Sequence, residues 1–163
     1  MTAGLRRAGA ADIAAVTALQ RAAYAGNRPI LGVEPLPLMA DYADVFAAFE
    51  IWLAEGAAGL EGILILERRS DDLLLWSVAT APALRGRGIG NRLLEAAEAR
   101  ARELGLTVVR LYTGERLQGN IAWYERHGYV RERIEELDDR RVVHMMKTLD
   151  AARPHRSFPW PGD

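Results

Sequence analysis

Apolar residues recur along this chain in two rhythms. Ile13, Val16, Leu19 and Ala23 fall at helical spacing and predict a helix running to about Tyr24, with Asp12 in its first turn, where negative charge suits the helix dipole. Tyr42, Val45, Phe46 and Phe49 predict a second helix over residues 39–49. Ile89, Leu93, Leu94, Ala97, Ala101 and Leu104 mark a third, with Gly105 suited to end it. Residues 60–67 and 73–79 are instead almost continuously apolar, the pattern of central strands covered on both faces. Shorter strands are predicted at 5–8, 50–54 and 107–112, and a hairpin pairs 129–134 with 141–147 around Asp138-Asp139. Gly26, Pro29, Gly32, Pro35 and Pro37 predict an irregular stretch, and 114–119 a loop. Asn120 is placed to cap a short helix that ends at Gly128.

The order is strand, two helices, three strands, helix, strand, helix, two strands. Hairpin turns in the first half call for antiparallel pairing. The strand–helix–strand unit over 73–112 calls for one parallel, right-handed crossover. The class is α+β, a mixed sheet with helices on both faces. Residues 1–150 form one domain, and 151–163, with three prolines and no periodicity, read as a tail.

Composition narrows the chemistry. The chain has 163 residues, enough for one full core without metal or disulfide staples. Its 21 Lys and Arg against 22 Asp and Glu leave a net charge of -1, so no nucleic-acid partner is expected. With no cysteine, disulfides, cysteine-held zinc and thiol catalysis are excluded. His127, His144 and His155 have no metal-ligand spacing, so no metal is expected. No signal peptide and no membrane-length apolar run is visible, and a cytoplasmic protein without a membrane partner is the default expectation.

The most informative feature is the turn Arg85-Gly86-Arg87-Gly88-Ile89-Gly90, between an apolar strand and an amphipathic helix. Free amides at a helix N-terminus bind phosphate, glycine allows close approach and positive φ, and the arginines add charged donors. The P-loop pattern is absent. The dinucleotide pattern also fails, because its third glycine would fall at Asn91.

Arg85-x-x-Gly88-x-Gly90 resembles the (Q/R)-x-x-G-x-(G/A) motif of the GCN5-related N-acetyltransferase (GNAT) superfamily. Asn120-Ile-Ala-Trp-Tyr124-Glu-Arg-His-Gly128-Tyr129 is similar to the late helix of that family. The stretch from Gly32 to Met39, followed by Asp41-Tyr42, resembles one bacterial branch of it. The resemblance implies a mostly antiparallel sheet of six to seven strands with one splayed parallel pair, flanked by about four helices. It implies acetyl-CoA as donor, without metal, and a primary amine as acceptor. The pyrophosphate would lie on the amides of Arg85, Gly86, Arg87, Gly88, Ile89 and Gly90. The pantetheine arm would run beside Val78, Ala79 and Thr80, and Asn120 is either a polar contact to it or a plain N-cap. Tyr124 would be the general acid that protonates the departing thiolate.

The family's usual acidic residue is missing from strand 73–79, and Glu34, in the Pro-rich loop, is the candidate base. Trp76, Tyr24 and Tyr42 are candidates for the acceptor wall or for the core. A non-catalytic acyl-CoA-binding module is the alternative function. The assembly is read as a monomer or as a homodimer paired edge to edge through 141–147.

Overall fold

The two apolar runs become the middle of a sheet. In the computed structural model, which describes residues 4–150, seven strands are ordered β1-β2-β3-β4-β5-β7-β6. They are β1 Arg6–Arg7, β2 Glu50–Gly56, β3 Gly59–Arg68, β4 Leu73–Thr80, β5 Val108–Gly114, β6 Val130–Glu136 and β7 Arg141–Thr148. Every neighbouring pair is antiparallel except β4–β5. Ile63, Leu64, Ile65 and Leu66 of β3 are fully buried, as strands covered on both faces require. The predicted tail, 151–163, lies outside the described residues.

Four helices of seven or more residues flank the sheet: α1 Ile13–Tyr24, α4 Tyr42–Ala48, α5 Ile89–Glu103 and α6 Gln118–Arg126. On one face Val16, Leu19, Tyr42 and Val45 pack on Ile51, Leu53, Ile63 and Ile65. On the other, Leu93, Leu94 and Ala97 of α5, with Ile121 of α6, pack on Leu64, Leu66, Leu73 and Val109. α5 lies so close to β3 that a methyl group at Gly62 would come within 2.9 Å of Ile89 Cγ2.

Three local expectations are corrected. The stretch read as irregular holds two one-turn helices, α2 Arg28–Leu31 and α3 Leu36–Met39. Pro29 and Pro37 sit in their first turns, where no N–H is needed, and Gly32 ends α2 at φ 75°. The helix predicted over 39–49 begins only at Tyr42, because Ala40 is extended and the Asp41 carboxylate caps it by accepting from the Ala43 N–H at 2.8 Å. β7 is not an edge, since it pairs with β5 on one side and β6 on the other. Edge pairing through 141–147 is therefore unavailable, and β6 is the strand left at that end.

Candidate functional site

β4 and β5 pair only at Leu73–Val109 and Leu74–Arg110, then diverge. From Leu75 onward β4 has no strand partner on its β5 side among the described residues. Trp76 is the bulged residue of β4: Ser77 faces Ile65 and Leu75 faces Leu66, leaving Trp76 unmatched. The opened wedge is the floor of a cavity of about 810 Å³.

The glycine turn forms one end of it. Gly86 and Gly88 take φ 83° and 80°, and Gly88 is the N-cap of α5 without any side-chain cap. A methyl group at either would meet nothing within 4 Å, so their conformation demands glycine and their packing does not. The first amides of α5 thus open onto free space, which suits a diphosphate. Arg85 ties this turn to the end of α1, its Nη2 donating to the Ala23 carbonyl at 2.7 Å.

Val78, Ala79, Thr80, Arg85, Gly86, Gly88, Ile89, Gly90, Asn120 and Tyr124 all line this one cavity. Arg87 is exposed and does not. Asn120 is the third residue of α6 and not its N-cap, because the helix starts at Gln118 after Leu117 has inserted into the cavity wall. Its amide is therefore free of a capping role. Glu34 is also outside the lining: its carboxylate accepts from Arg28 Nε at 3.0 Å and Nη2 at 2.8 Å, on an exposed pair. Among the described residues no Asp or Glu lines the cavity.

Tyr124 is held from behind. Gly128, at φ 91°, turns the chain after α6, so that Tyr129 enters the core with 1% exposure. The Tyr129 ring meets Tyr124 edge-on at 5.7 Å, and Trp123 meets it at 4.9 Å from another side. The Tyr124 carbonyl accepts from the Tyr129 N–H at 3.1 Å. Its hydroxyl has no hydrogen-bond partner among the described residues, and burial pushes its pKa above the ordinary tyrosine value. It is a protonated donor that bonds to no described protein group.

Opposite it, a buried polar chain runs from α1 to β4. Gln20, fully buried, donates through Nε2 to the Tyr42 hydroxyl at 2.9 Å and to Ser77 Oγ at 3.0 Å. Tyr42 passes its own hydrogen to the Pro37 carbonyl at 2.7 Å. Ser77 Oγ lies 2.7 Å from the Tyr24 hydroxyl, which reaches the Val78 carbonyl at 3.4 Å. Burial pushes the Tyr24 phenol up to about 12. Tyr24 and Trp76 line the main cavity and Tyr42 does not. Trp123, read from the sequence as core or pocket wall, lines it, and so do Ser77, Asn27 and Arg140, which the sequence did not single out. Only Gln20, a polar residue on the apolar stripe four positions before Tyr24, offered a clue.

The sequence model of the acetyltransferase (GNAT) domain matches residues 47–131. Comparison with curated proteins gives no sequence match. In fold the chain is similar to the ribosomal-protein-S18-alanine N-acetyltransferase from Escherichia coli, with TM-score 0.73 and 16% identity, covering 94% of this chain and 98% of that one. It is similar to the PaiA N-acetyltransferase from Thermoplasma acidophilum, solved in complex with coenzyme A, with TM-score 0.70 and 16% identity over 88% and 97% of the two chains. It is also similar to the IAA acetyltransferase from Bacillus cereus, with TM-score 0.67 and 21% identity over 89% and 98%. The family match spans the bulged strand, the glycine turn and the helix that carries Tyr124, so the chain belongs to the GCN5-related N-acetyltransferases, the family of enzymes that take the acetyl group from acetyl-CoA.

Proposed function

We propose that this enzyme moves the acetyl group of acetyl-CoA to a primary amine by direct attack, with Tyr124 as general acid. The observation that carries this reading is one cavity that joins the open amides of the glycine turn, the unpaired side of β4 and the Tyr124 hydroxyl, which has no partner among the described residues. The residues fit the donor: Gly86 and Gly88 leave room at the α5 N-terminus for a diphosphate. The unpaired side of β4 beside Val78, Ala79 and Thr80 suits a chain of amides. Asn120, free of capping, suits a polar contact to that chain.

Acetyl-CoA supplies an activated acyl carbon and a thiolate leaving group. The protein's part is positioning and proton supply. A backbone N–H at Val78 is the candidate donor to the carbonyl oxygen as negative charge develops there. The Tyr124 hydroxyl gives its proton to the departing sulfur, and its raised pKa keeps that proton in place at neutral pH. Glu34, ion-paired outside the cavity lining, has no part in this scheme: the acceptor ammonium loses one proton to water before attack, and the second N–H proton, released as the amide forms, restores the Tyr124 hydroxyl.

The lack of a lining carboxylate among the described residues favours one second reading, a non-catalytic acyl-CoA-binding module. Calorimetric titration with acetyl-CoA, CoA and NADH, on the native protein and on Gly88→Glu, tests the donor site. Binding of both CoA forms and not NADH, lost in a variant that keeps its circular dichroism, supports it. Release of free thiol with any amine then decides for the enzyme over the binding module.

A further inference from the structure

One wall of the cavity carries a positively charged side chain that the sequence did not single out. Arg140, in the β6–β7 turn, lines the cavity, and its side chain is only 5% exposed. It is fixed from outside: Nε and Nη2 donate to the Asp139 carboxylate at 2.8 and 2.9 Å, while Asp139 stays half-exposed and does not line the cavity. Nη2 also lies 3.5 Å from Met39 Sδ, which sets the guanidinium against the end of α3. Nη1 has no hydrogen-bond partner among the described residues. Arg140 stands on the β5 side of the wedge: Val142, which follows shortly in the chain, pairs with Gly114 at the end of β5, and Leu31 of α2 packs against that glycine.

A buried guanidinium with one free nitrogen asks for an acceptor atom. The cavity that Arg140 lines also has apolar walls, among them Ile30, Leu36, Pro37, Trp76 and Val142. With no carboxylate in the described lining, nothing there offsets a second positive charge on the acceptor. Resting on the acetyltransferase reading above, we infer that the acceptor is a small amine that also carries a carboxylate and an apolar body, the chemistry of a free apolar amino acid, and that Arg140 binds this carboxylate. Asp139 locks Arg140 in place and leaves Nη1 to the ligand, which makes Arg140 a specificity-determining residue. The same charge disfavours diamines and lysine-rich segments.

Matched pairs test this: leucine against isoamylamine and phenylalanine against phenethylamine, with cadaverine as the diamine, followed by thiol release. The acid of each pair should exceed its amine by roughly 100-fold in kcat/KM, because a site built around a buried donor rejects the analogue that lacks the acceptor. Arg140→Met should erase that preference by slowing the acid and sparing the amine, and Arg140→Lys should restore part of it. Equal or greater rates with the amines or with cadaverine overturn the assignment. So does an equal loss for both members of a pair in a folded Arg140→Met. If that variant does not fold, the preference of the native enzyme decides alone. Where no acceptor turns over, calorimetry of N-acetyl-leucine and N-isoamylacetamide on the CoA-loaded protein reads the same preference. No binding of the acid form there overturns the carboxylate site while CoA binding keeps the donor reading. Failure of acetyl-CoA itself to bind sinks both.

Discussion

Asp72 accepts a hydrogen bond from Arg110 Nη1 at 2.7 Å, beside the only rungs that join β4 to β5. Arg69 holds the same carboxylate from the β3–β4 turn, and Arg110 reaches on through Nε to Glu132 of β6 at 3.0 Å. The charge cluster thus closes the joined end of the wedge whose open end is the cavity.

Asp72→Ala should therefore destabilise the fold by about 2–3 kcal/mol, less than a fully buried pair because both guanidinium groups are partly exposed. Burial alone would raise the Asp72 carboxyl, but hydrogen bonds from Arg69 and Arg110 outweigh it and hold the group below its ordinary 3.8. The folded value is the lower one. The stabilisation is therefore complete above the unfolded value and is lost as pH falls through the folded one. Urea melts of native and Asp72→Ala protein should differ near pH 7 and converge in acid. A constant difference down to pH 2 would remove Asp72 from the account.

What the sequence disclosed and what it hid divide on physical lines. The Gly88 turn was legible because a positive φ at a helix start restricts the residue type locally. The central strands were legible because burial on both faces leaves a continuous apolar run. Asn120 was misplaced because α6 begins without a Ser, Thr, Asn or Asp cap; Leu117 starts it by burying its side chain. Arg140 was not singled out beside Asp138-Asp139, since nothing local says that its guanidinium meets Met39, 101 residues away in sequence. The partners of Gln20 arrive from 22 and 57 residues away, beyond any window of periodicity.

Gln20→Leu fills similar space but strips a donor from two buried hydroxyls, those of Tyr42 and Ser77. The cost should be about 1–3 kcal/mol, read as a lower Tm. Because Ser77 orients Tyr24 at the cavity wall, kcat/KM for the amine should also fall while acetyl-CoA affinity holds. A double-mutant cycle with Tyr24→Phe should be strongly non-additive in kcat/KM. Additive losses would show that Gln20 serves packing alone.

Without a lining carboxylate among the described residues, no enzyme group should shape the acid limb of the rate profile. kcat/KM should rise tenfold per pH unit up to the acceptor's own amine pKa, and the inflection should move when the acceptor is changed for one of different basicity. Glu34→Gln, whose parent carboxylate is spent on Arg28, should change kcat by less than about twofold. An inflection that stays fixed across acceptors and vanishes in Glu34→Gln would return the base role to that residue.

Tyr124→Phe isolates the proton from the ring. The phenyl group keeps the edge contacts to Trp123 and Tyr129, so packing and acetyl-CoA affinity should change little. Since the hydroxyl bonds to no described protein group, its removal leaves no orphaned partner, and Tm should stay within a degree or two of native. What disappears is the proton for the leaving sulfur, and kcat should fall roughly 10²–10⁴-fold. In the native enzyme, burial keeps the phenol protonated beyond the ordinary tyrosine range, so the alkaline limb of kcat should stay flat to about pH 10. Acetyl thioesters of a CoA analogue with a more acidic thiol should shrink the deficit of Tyr124→Phe with the same acceptor, because a thiolate of lower pKa needs less help. A deficit that is the same for every leaving group would place Tyr124 in binding or positioning and not at the departing sulfur.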